Sequence, residues 1–231
     1  MHGFGTRHTP ASLGCPEARL KQIHSDIVRV VEKPIAPEDL RGDALVTSTP
    51  GLALTVVTAD CLPVLLADPK RRVVAVVHAG WRGTLRRIVE KTVGVMRQRF
   101  GVDPANVVAA FGPSIQVCCY EVGEEVVQEF RSQFPYAEKL FQLETGENPA
   151  DVYLPRQLGV ERKAFMRNLE TGKAHLNLVE ANYRQLLDAG VRPGHIHRAA
   201  PCTSCNLDLL CSYRRQGPRS GRLISAIRLC P

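Results

Sequence analysis

The sequence predicts an α/β fold, a layered sandwich with a mixed β-sheet core flanked by helices, as one domain over residues 1–231. Three observations predict it. Short β-branched or apolar runs crowd residues 44–78, punctuated by Asp, Pro and Gly. Several of them are apolar on both faces, as strands covered by a layer on each side are. Amphipathic helical segments and further strand-like runs follow. With 44% hydrophobic residues in 231, a chain of this length buries roughly 70% of its extended surface.

Ala44–Thr47, Leu52–Thr58, Pro63–Ala67 and Val73–Val77 read as strands. Gly83–Phe100 is the clearest helix. Leu85, Ile88, Val89, Thr92, Val93, Met96 and Phe100 recur at three- and four-residue steps. Arg86, Arg87, Glu90, Lys91 and Arg97 are left on the opposite face. Gly101 suits the C-terminal cap. Val107–Phe111 reads as a strand stopped by Gly112-Pro113, Gly123–Phe134 and Leu176–Ala189 as helices, and Leu223–Leu229 as a closing strand. Pro135–Asp151, polar and carrying two Pro, reads as a surface excursion.

The net charge of +7 comes from 30 basic and 23 acidic residues. Such a balance suits nucleic acid, an anionic membrane or a phosphorylated small molecule. The basic pairs Arg71-Arg72, Arg86-Arg87 and Arg214-Arg215 are scattered, and only 6% of residues are aromatic. That argues against stacking on single-stranded nucleic acid. No apolar run approaches 18 residues, so no transmembrane helix and no membrane partner is expected. The first ten residues hold two His and an Arg without an apolar stretch, so the expected address is cytoplasmic. The eight cysteines are then expected as reduced thiols: core residues, metal ligands or nucleophiles.

Three reactive side chains end strands or loops. His24 follows Lys21-Gln22-Ile23, Cys61 follows Thr58-Ala59-Asp60, and His78 ends Val73–Val77 and opens into Ala79-Gly80-Trp81-Arg82-Gly83-Thr84. Such groups are held by a rigid scaffold yet open to a cleft. Two His and one Cys with a free fourth position form the donor set of a catalytic zinc, which lowers the pKa of a bound water towards 7. The same atoms fit a thiolate–imidazole pair with Cys61 as nucleophile. They also fit a partly buried Cys beside two hydrogen-bonded His. Gly80 and Gly83 frame a strand-to-helix loop that could aim N–H groups and a helix dipole at an anion, with Arg82 adding a fork suited to phosphate. Cys202, Cys205 and Cys211 contain C-x-x-C but lack the second pair of a zinc ribbon. His195 and His197 read as surface residues at a strand start.

Longer motifs accompany these residues in order: Gln22-Ile23-His24-Ser25, Asp43-Ala44-Leu45-Val46-Thr47, Thr58-Ala59-Asp60-Cys61-Leu62-Pro63-Val64 and His78-Ala79-Gly80-Trp81-Arg82-Gly83. Gly112-Pro113-Ser114-Ile115, Cys118-Cys119-Tyr120-Glu121-Val122-Gly123, Cys202-Thr203 and Ser212-Tyr213-Arg214-Arg215 follow. Together they resemble the purine nucleoside phosphorylase family formerly named for a laccase domain or as polyphenol oxidases. The resemblance covers nearly the whole chain.

It implies a fold like the catalytic domain of cytotoxic necrotizing factor toxins, and zinc held by His24, Cys61 and His78. It implies cleavage of purine nucleosides (inosine, adenosine, guanosine, 5′-methylthioadenosine) by phosphate to base and pentose 1-phosphate. Some members also deaminate adenosine. Beside the metal trio, Asp60 is the candidate proton carrier and Arg82 the candidate for orienting phosphate. Gly80, Gly83, Cys119 and Arg214 are further candidate substrate contacts. Two departures stand out. Only 16 residues separate Gly3-Phe4-Gly5-Thr6-Arg7 from His24, fewer than the family usually has, and Asn177 stands where an Asp is expected.

The laccase label fails a count. A multicopper oxidase serves its copper centre with about ten His, largely in paired H-x-H motifs. This chain has seven His and one H-x-H. One adventitious copper in the zinc site remains compatible with the ligands, since Cu²⁺ outranks Zn²⁺ in affinity. Two rival functions stay open. A cysteine amidase editing peptidoglycan precursors would use Cys61 as nucleophile and His78 as base, surviving chelation and dying on alkylation. A non-enzymatic nucleic-acid-binding protein would lose affinity steeply with salt and ignore Cys61→Ala.

Overall fold

The computed structural model describes residues 1–143, 174–198 and 200–230. They fall into two compact units, one of Met1–Ile115 with Leu178–Pro231, the other of Gln116–Asn177. The strands in chain order are β1 (His2–Phe4), β2 (Glu17–Arg19), β3 (Val28–Val30), β4 (Ala44–Thr47), β5 (Ala53–Thr58), β6 (Leu62–Asp68) and β7 (Val73–Ala79). Helices α1 (Trp81–Leu85) and α2 (Ile88–Phe100) and strand β8 (Val108–Phe111) follow. The second unit supplies β9 (Glu121–Val122), α3 (Glu124–Gln133), β10 (Phe141–Leu143) and β11 (Ala174–Leu176). The chain then returns with α4 (Leu178–Asp188), β12 (Ile196–His197), α5 (Tyr213–Gln216) and β13 (Leu223–Arg228). No helix of the described residues is long and apolar enough to cross a membrane.

The larger unit is a layered α/β sandwich, the fold class its sequence predicts. One sheet has six strands in the order β12-β8-β6-β7-β4-β3, the other four in the order β1-β13-β5-β2. Both are mixed: β12–β8, β3–β4 and β2–β5 run parallel and the remaining pairs antiparallel. All seven residues of β7 are buried, because each of its faces meets a different layer. Val74 and Val76 join Leu45, Leu65, Leu54, Val56 and Ile227 in the core between the sheets. Helix α2 covers the opposite face through Ile88, Val89, Val93 and Met96. In the smaller unit β9, β11 and β10 form an antiparallel sheet, with Phe130 of α3 stacked edge-on to Phe141 at 6.0 Å.

The expected helix Gly83–Phe100 is instead two. Arg87 sits in the left-handed region at φ 61° and separates α1 from α2. Periodicity misses the break because the apolar stripe continues across it. The Thr84 carbonyl explains the break: it accepts from Arg87 N–H (3.0 Å) and from the Gln185 amide of α4 (2.7 Å) rather than continuing the helical ladder. Gly101 caps α2 as expected, at φ 64° with its N–H on the Arg97 carbonyl. Leu176 belongs to β11, and the helix expected from it begins at Leu178. Of the expected excursion Pro135–Asp151, residues 137–143 form a 3₁₀ turn and β10, and residues 144–151 lie outside the described residues.

Candidate functional site

Register brings Cys61 and His78 together. In the β6–β7 hairpin Leu62 pairs with Ala79 and Pro63 with His78. Cys61, just before β6, therefore lies at the same end of the sheet as the C-terminal residues of β7, His78 among them. The link from β5 to β6 is held rigidly. Asp60 adopts φ 91°, a conformation rarely seen outside glycine and Asn/Asp. Its Oδ1 accepts from the Thr203 hydroxyl and its Oδ2 from the Arg214 N–H, both at 2.6 Å, and its carbonyl accepts from Ile115 N–H at 2.9 Å.

His24 arrives on a separate loop that two side chains pin in place. The Gln22 amide both donates to the Val57 carbonyl and accepts from the Val57 N–H, each at 2.8 Å, extending β5 with a side chain. Asp43 precedes β4, whose Ala44 pairs with Val77, so it faces His78. The carboxylate accepts from His78 Nδ1 at 2.8 Å, from the His24 N–H at 3.0 Å, and from the Ser25 N–H and hydroxyl at 2.6 Å each. His24 itself sits at φ 57°.

The donor atoms of His24, Cys61 and His78 all lie within 4.8 Å of one another. Cys61 Sγ is 3.9 Å from His24 Nε2, and the two imidazoles meet edge-on with centroids 4.8 Å apart. His78 is buried, Cys61 half-buried and His24 exposed, so the cluster opens to solvent on the His24 side. Burial pushes the Cys61 thiol up, but hydrogen bonds and charge from His24 and His78 outweigh it and bring the pKa to about 6. Burial likewise opposes charge on His78. Its bond to Asp43 and the neighbouring Cys61 prevail and raise it to about 9. Asp43 stays below the usual carboxylate range: burial raises it, and the donors His78 and Ser25 lower it further.

These residues fit a transition-metal ion. With bond lengths near 2.0–2.3 Å, tetrahedral N and S donors sit roughly 3.3–3.7 Å apart; the Cys61–His24 pair at 3.9 Å lies a few tenths beyond that, and the three donors, all within 4.8 Å, would close in on a bound ion. A thiolate is available, and His78 gives its Nδ1 to a carboxylate, as ligating imidazoles do when the other nitrogen binds. The glycines allow the convergence. A Cβ on Gly80 would lie 3.1 Å from Cys61 Sγ and 3.2 Å from His24 Cδ2, and one on Gly83 would lie 3.0 Å from the Ser25 carbonyl oxygen.

The remaining candidates are placed less centrally. Arg82 is exposed on α1 with its guanidinium 4.3 Å from the Trp81 ring centroid, a cation–π contact. Helix α1 has only five residues, too few for the macrodipole that the sequence suggested behind the Gly80–Thr84 loop. Arg214 is exposed on α5 and tied through its N–H to Asp60. Cys119 belongs to the smaller unit, where its N–H donates to the Gln116 carbonyl. His197 is exposed on β12 as expected, while His195 is half-buried with Nδ1 3.3 Å from the Val107 carbonyl oxygen. Asp43 and Gln22 were singled out by no chemical reading of the sequence, although both lie in quoted motifs. The available signal was a carboxylate set directly before the apolar run Ala44-Leu45-Val46 of a strand expected in the core.

Residues 6–230 match the family described as "Multi-copper polyphenol oxidoreductase laccase". The chain is 41% identical over 187 residues to a Bacteroides thetaiotaomicron protein named "Purine nucleoside phosphorylase". That match covers 81% of this chain and 60% of the relative, so the chain spans about three-fifths of that protein. "Adenosine deaminase RL5" from an unknown prokaryotic organism is 38% identical, over 90% of this chain and 72% of that protein. Among solved structures, the Bacillus licheniformis hypothetical protein YfiH superposes with a TM-score of 0.74 at 30% identity, covering 92% of this chain and 74% of that one.

Proposed function

This chain belongs to the laccase-type polyphenol oxidoreductase family, and from that premise we propose that it is a zinc-dependent purine nucleoside phosphorylase. The observation that carries the reading is the convergence of His24, Cys61 and His78 within 4.8 Å, in a chain 41% identical to a protein named for that activity. Three donors serve one ion, so the cluster does not supply the several coppers of the family's description. Zinc, held by His24 Nε2, Cys61 Sγ and His78, would supply a Lewis acid for a polar atom of the bound nucleoside.

The chain's own residues divide the rest of the work. Phosphate displaces the purine at C1′, forming a C–O bond as the C1′–N bond breaks, and the departing base takes a proton. Arg82, exposed with its guanidinium 4.3 Å from the Trp81 ring centroid, orients the phosphate through paired N–H groups. Asp60 keeps Cys61 in register from a backbone conformation that its own carboxylate bonds support. Arg214 projects from the segment that Asp60 anchors and is the second candidate cation for the anionic substrate. Deamination of adenosine is a second activity of the same site, supported by the 38% identical relative named adenosine deaminase.

Metal-quantified protein incubated with inosine, adenosine and 5′-methylthioadenosine, with and without phosphate, tests the reading by chromatography of the products. Phosphate-dependent release of free base, lost in His78→Ala, is expected; inosine formed from adenosine without phosphate reads the deaminase. Absence of turnover in protein carrying one zinc refutes the assignment. Turnover of cell-wall precursors that survives chelation and stops on alkylation assigns the amidase instead. That alternative is favoured by one observation, the Cys61 thiol near pKa 6 beside two imidazoles.

A further inference from the structure

The two histidines of the cluster come from different parts of the chain, and one carboxylate reaches both. Asp43 Oδ1 accepts from His78 Nδ1 and from the His24 N–H. Its Oδ2 accepts from the Ser25 hydroxyl and N–H and, at 3.3 Å, from the Ile23 N–H. The residue is wholly buried, so these five donors take the place of water around it. Three of them are consecutive backbone N–H groups that converge on one side chain. That convergence holds His24 at φ 57°, where a residue with a Cβ rarely rests.

Each histidine thereby depends on Asp43 for a different degree of freedom. For His78 the bond at Nδ1 fixes the ring's rotation and keeps a proton on that nitrogen, so that Nε2 is the nitrogen that binds a metal, which displaces its proton. For His24 the bonds act on the backbone and decide where the exposed ring starts from. We propose that Asp43 is the positioning residue that sets the metal affinity of the site, by fixing both imidazole donors through one carboxylate. The inference rests on the metal half of the proposed function and not on the nucleoside. A purely architectural Asp43 would lower the stability of the metal-free protein and leave the affinity of folded molecules unchanged.

The test measures metal binding. Metal-stripped wild type, Asp43→Asn and Ser25→Ala are titrated with Zn²⁺ against a chromophoric chelator and with Co²⁺ by its visible absorption, folding being checked by circular dichroism. In Asp43→Asn an amide donor replaces an acceptor oxygen and faces N–H groups. Zn²⁺ affinity should fall roughly 10–100-fold, and the Co²⁺ spectrum should change with it. Ser25→Ala removes one bond to Oδ2 without touching either imidazole and should weaken binding in the same direction by less. Folded Asp43→Asn with wild-type affinity overturns the proposal. Should Asp43→Asn fail to fold, unchanged affinity in Ser25→Ala overturns it. Wild type that binds no Zn²⁺ sinks the metal reading and this inference together, whereas equal tight binding by wild type and variant sinks this inference alone.

Discussion

Gly80→Ala isolates geometry from chemistry, because it adds one methyl and removes no donor. Gly80 has φ −76° and ψ 171°, a conformation open to alanine, so the backbone is not strained. Alanine leaves the unfolded chain fewer conformations to lose than glycine does, which by itself should stabilise by about 0.4–1 kcal/mol. The added Cβ, however, would stand 3.1 Å from Cys61 Sγ and 3.2 Å from His24 Cδ2, where ordinary contact begins at 3.4 Å. Both ligand side chains must therefore yield by about 0.2–0.3 Å, the size of the ±0.2 Å tolerance on metal–ligand distances. Overpacking of this kind costs about 1–3 kcal/mol when nothing can move. His24 is exposed and moves first, so the metal-free protein should melt within about 1 kcal/mol of wild type. The damage should fall on the metal: Zn²⁺ affinity, read by chelator competition, should drop by about tenfold, near 1.4 kcal/mol. Wild-type affinity and turnover in Gly80→Ala would refute the reasoning.

Three further outcomes follow from the same geometry. In metal-stripped protein the alkylation rate of Cys61 should rise with pH through a midpoint near 6 and fall away below it as the thiol protonates. An ordinary thiol has its midpoint near 8.5, and saturating Zn²⁺ should suppress the reaction; a midpoint above 8 in iodoacetamide kinetics would contradict the thiolate assignment. Chelation should leave the far-ultraviolet circular dichroism unchanged, because hydrogen bonds to Asp43, Asp60 and Gln22 hold the three loops. Melting temperature should then climb with added metal by linkage, and loss of secondary structure on chelation would show the ion to be structural. Asp60→Asn turns one acceptor into a donor facing either the Thr203 hydroxyl or the Arg214 N–H, and should cost about 1–3 kcal/mol in urea unfolding. An anchoring Asp60 leaves the pH profile of turnover in place, whereas a proton carrier shifts it.

How much of this was legible in the sequence depended on whether the signal was local. The β4–β7 region could be read because burial on both faces removes every polar residue from Val73–Val77. β1, β2 and β3 are three residues each and owe their strand geometry to partners far along the chain, such as Ile227 opposite His2. No window of sequence contains that pairing. The break at Arg87 was hidden for a related reason: the groups occupying the Thr84 carbonyl and hydroxyl belong to Gln185 and Asn182, about a hundred residues away.

The site divides along the same line. Cys61 and His78 stood out because each lies at the end of a strand-like run, and the hairpin joining β6 to β7 puts both at one end of the sheet. His24 stood out with them as a third donor ending a loop, and the resemblance implied the same trio, but nothing in the sequence near residue 24 points to residue 61. The residues that make the convergence possible, Asp43 and Gln22, carry no reactive role of their own. An Asp at a strand start and a Gln in a loop are among the commonest surface residues. Their meaning lies in what they accept and donate: one wholly buried carboxylate for three N–H groups, a hydroxyl and an imidazole, and one amide for both polar groups of Val57. Burial of a charge can be sustained only where its partners already exist. A buried Asp beside a reactive trio therefore records the folded arrangement of His24 and His78 more directly than either histidine does.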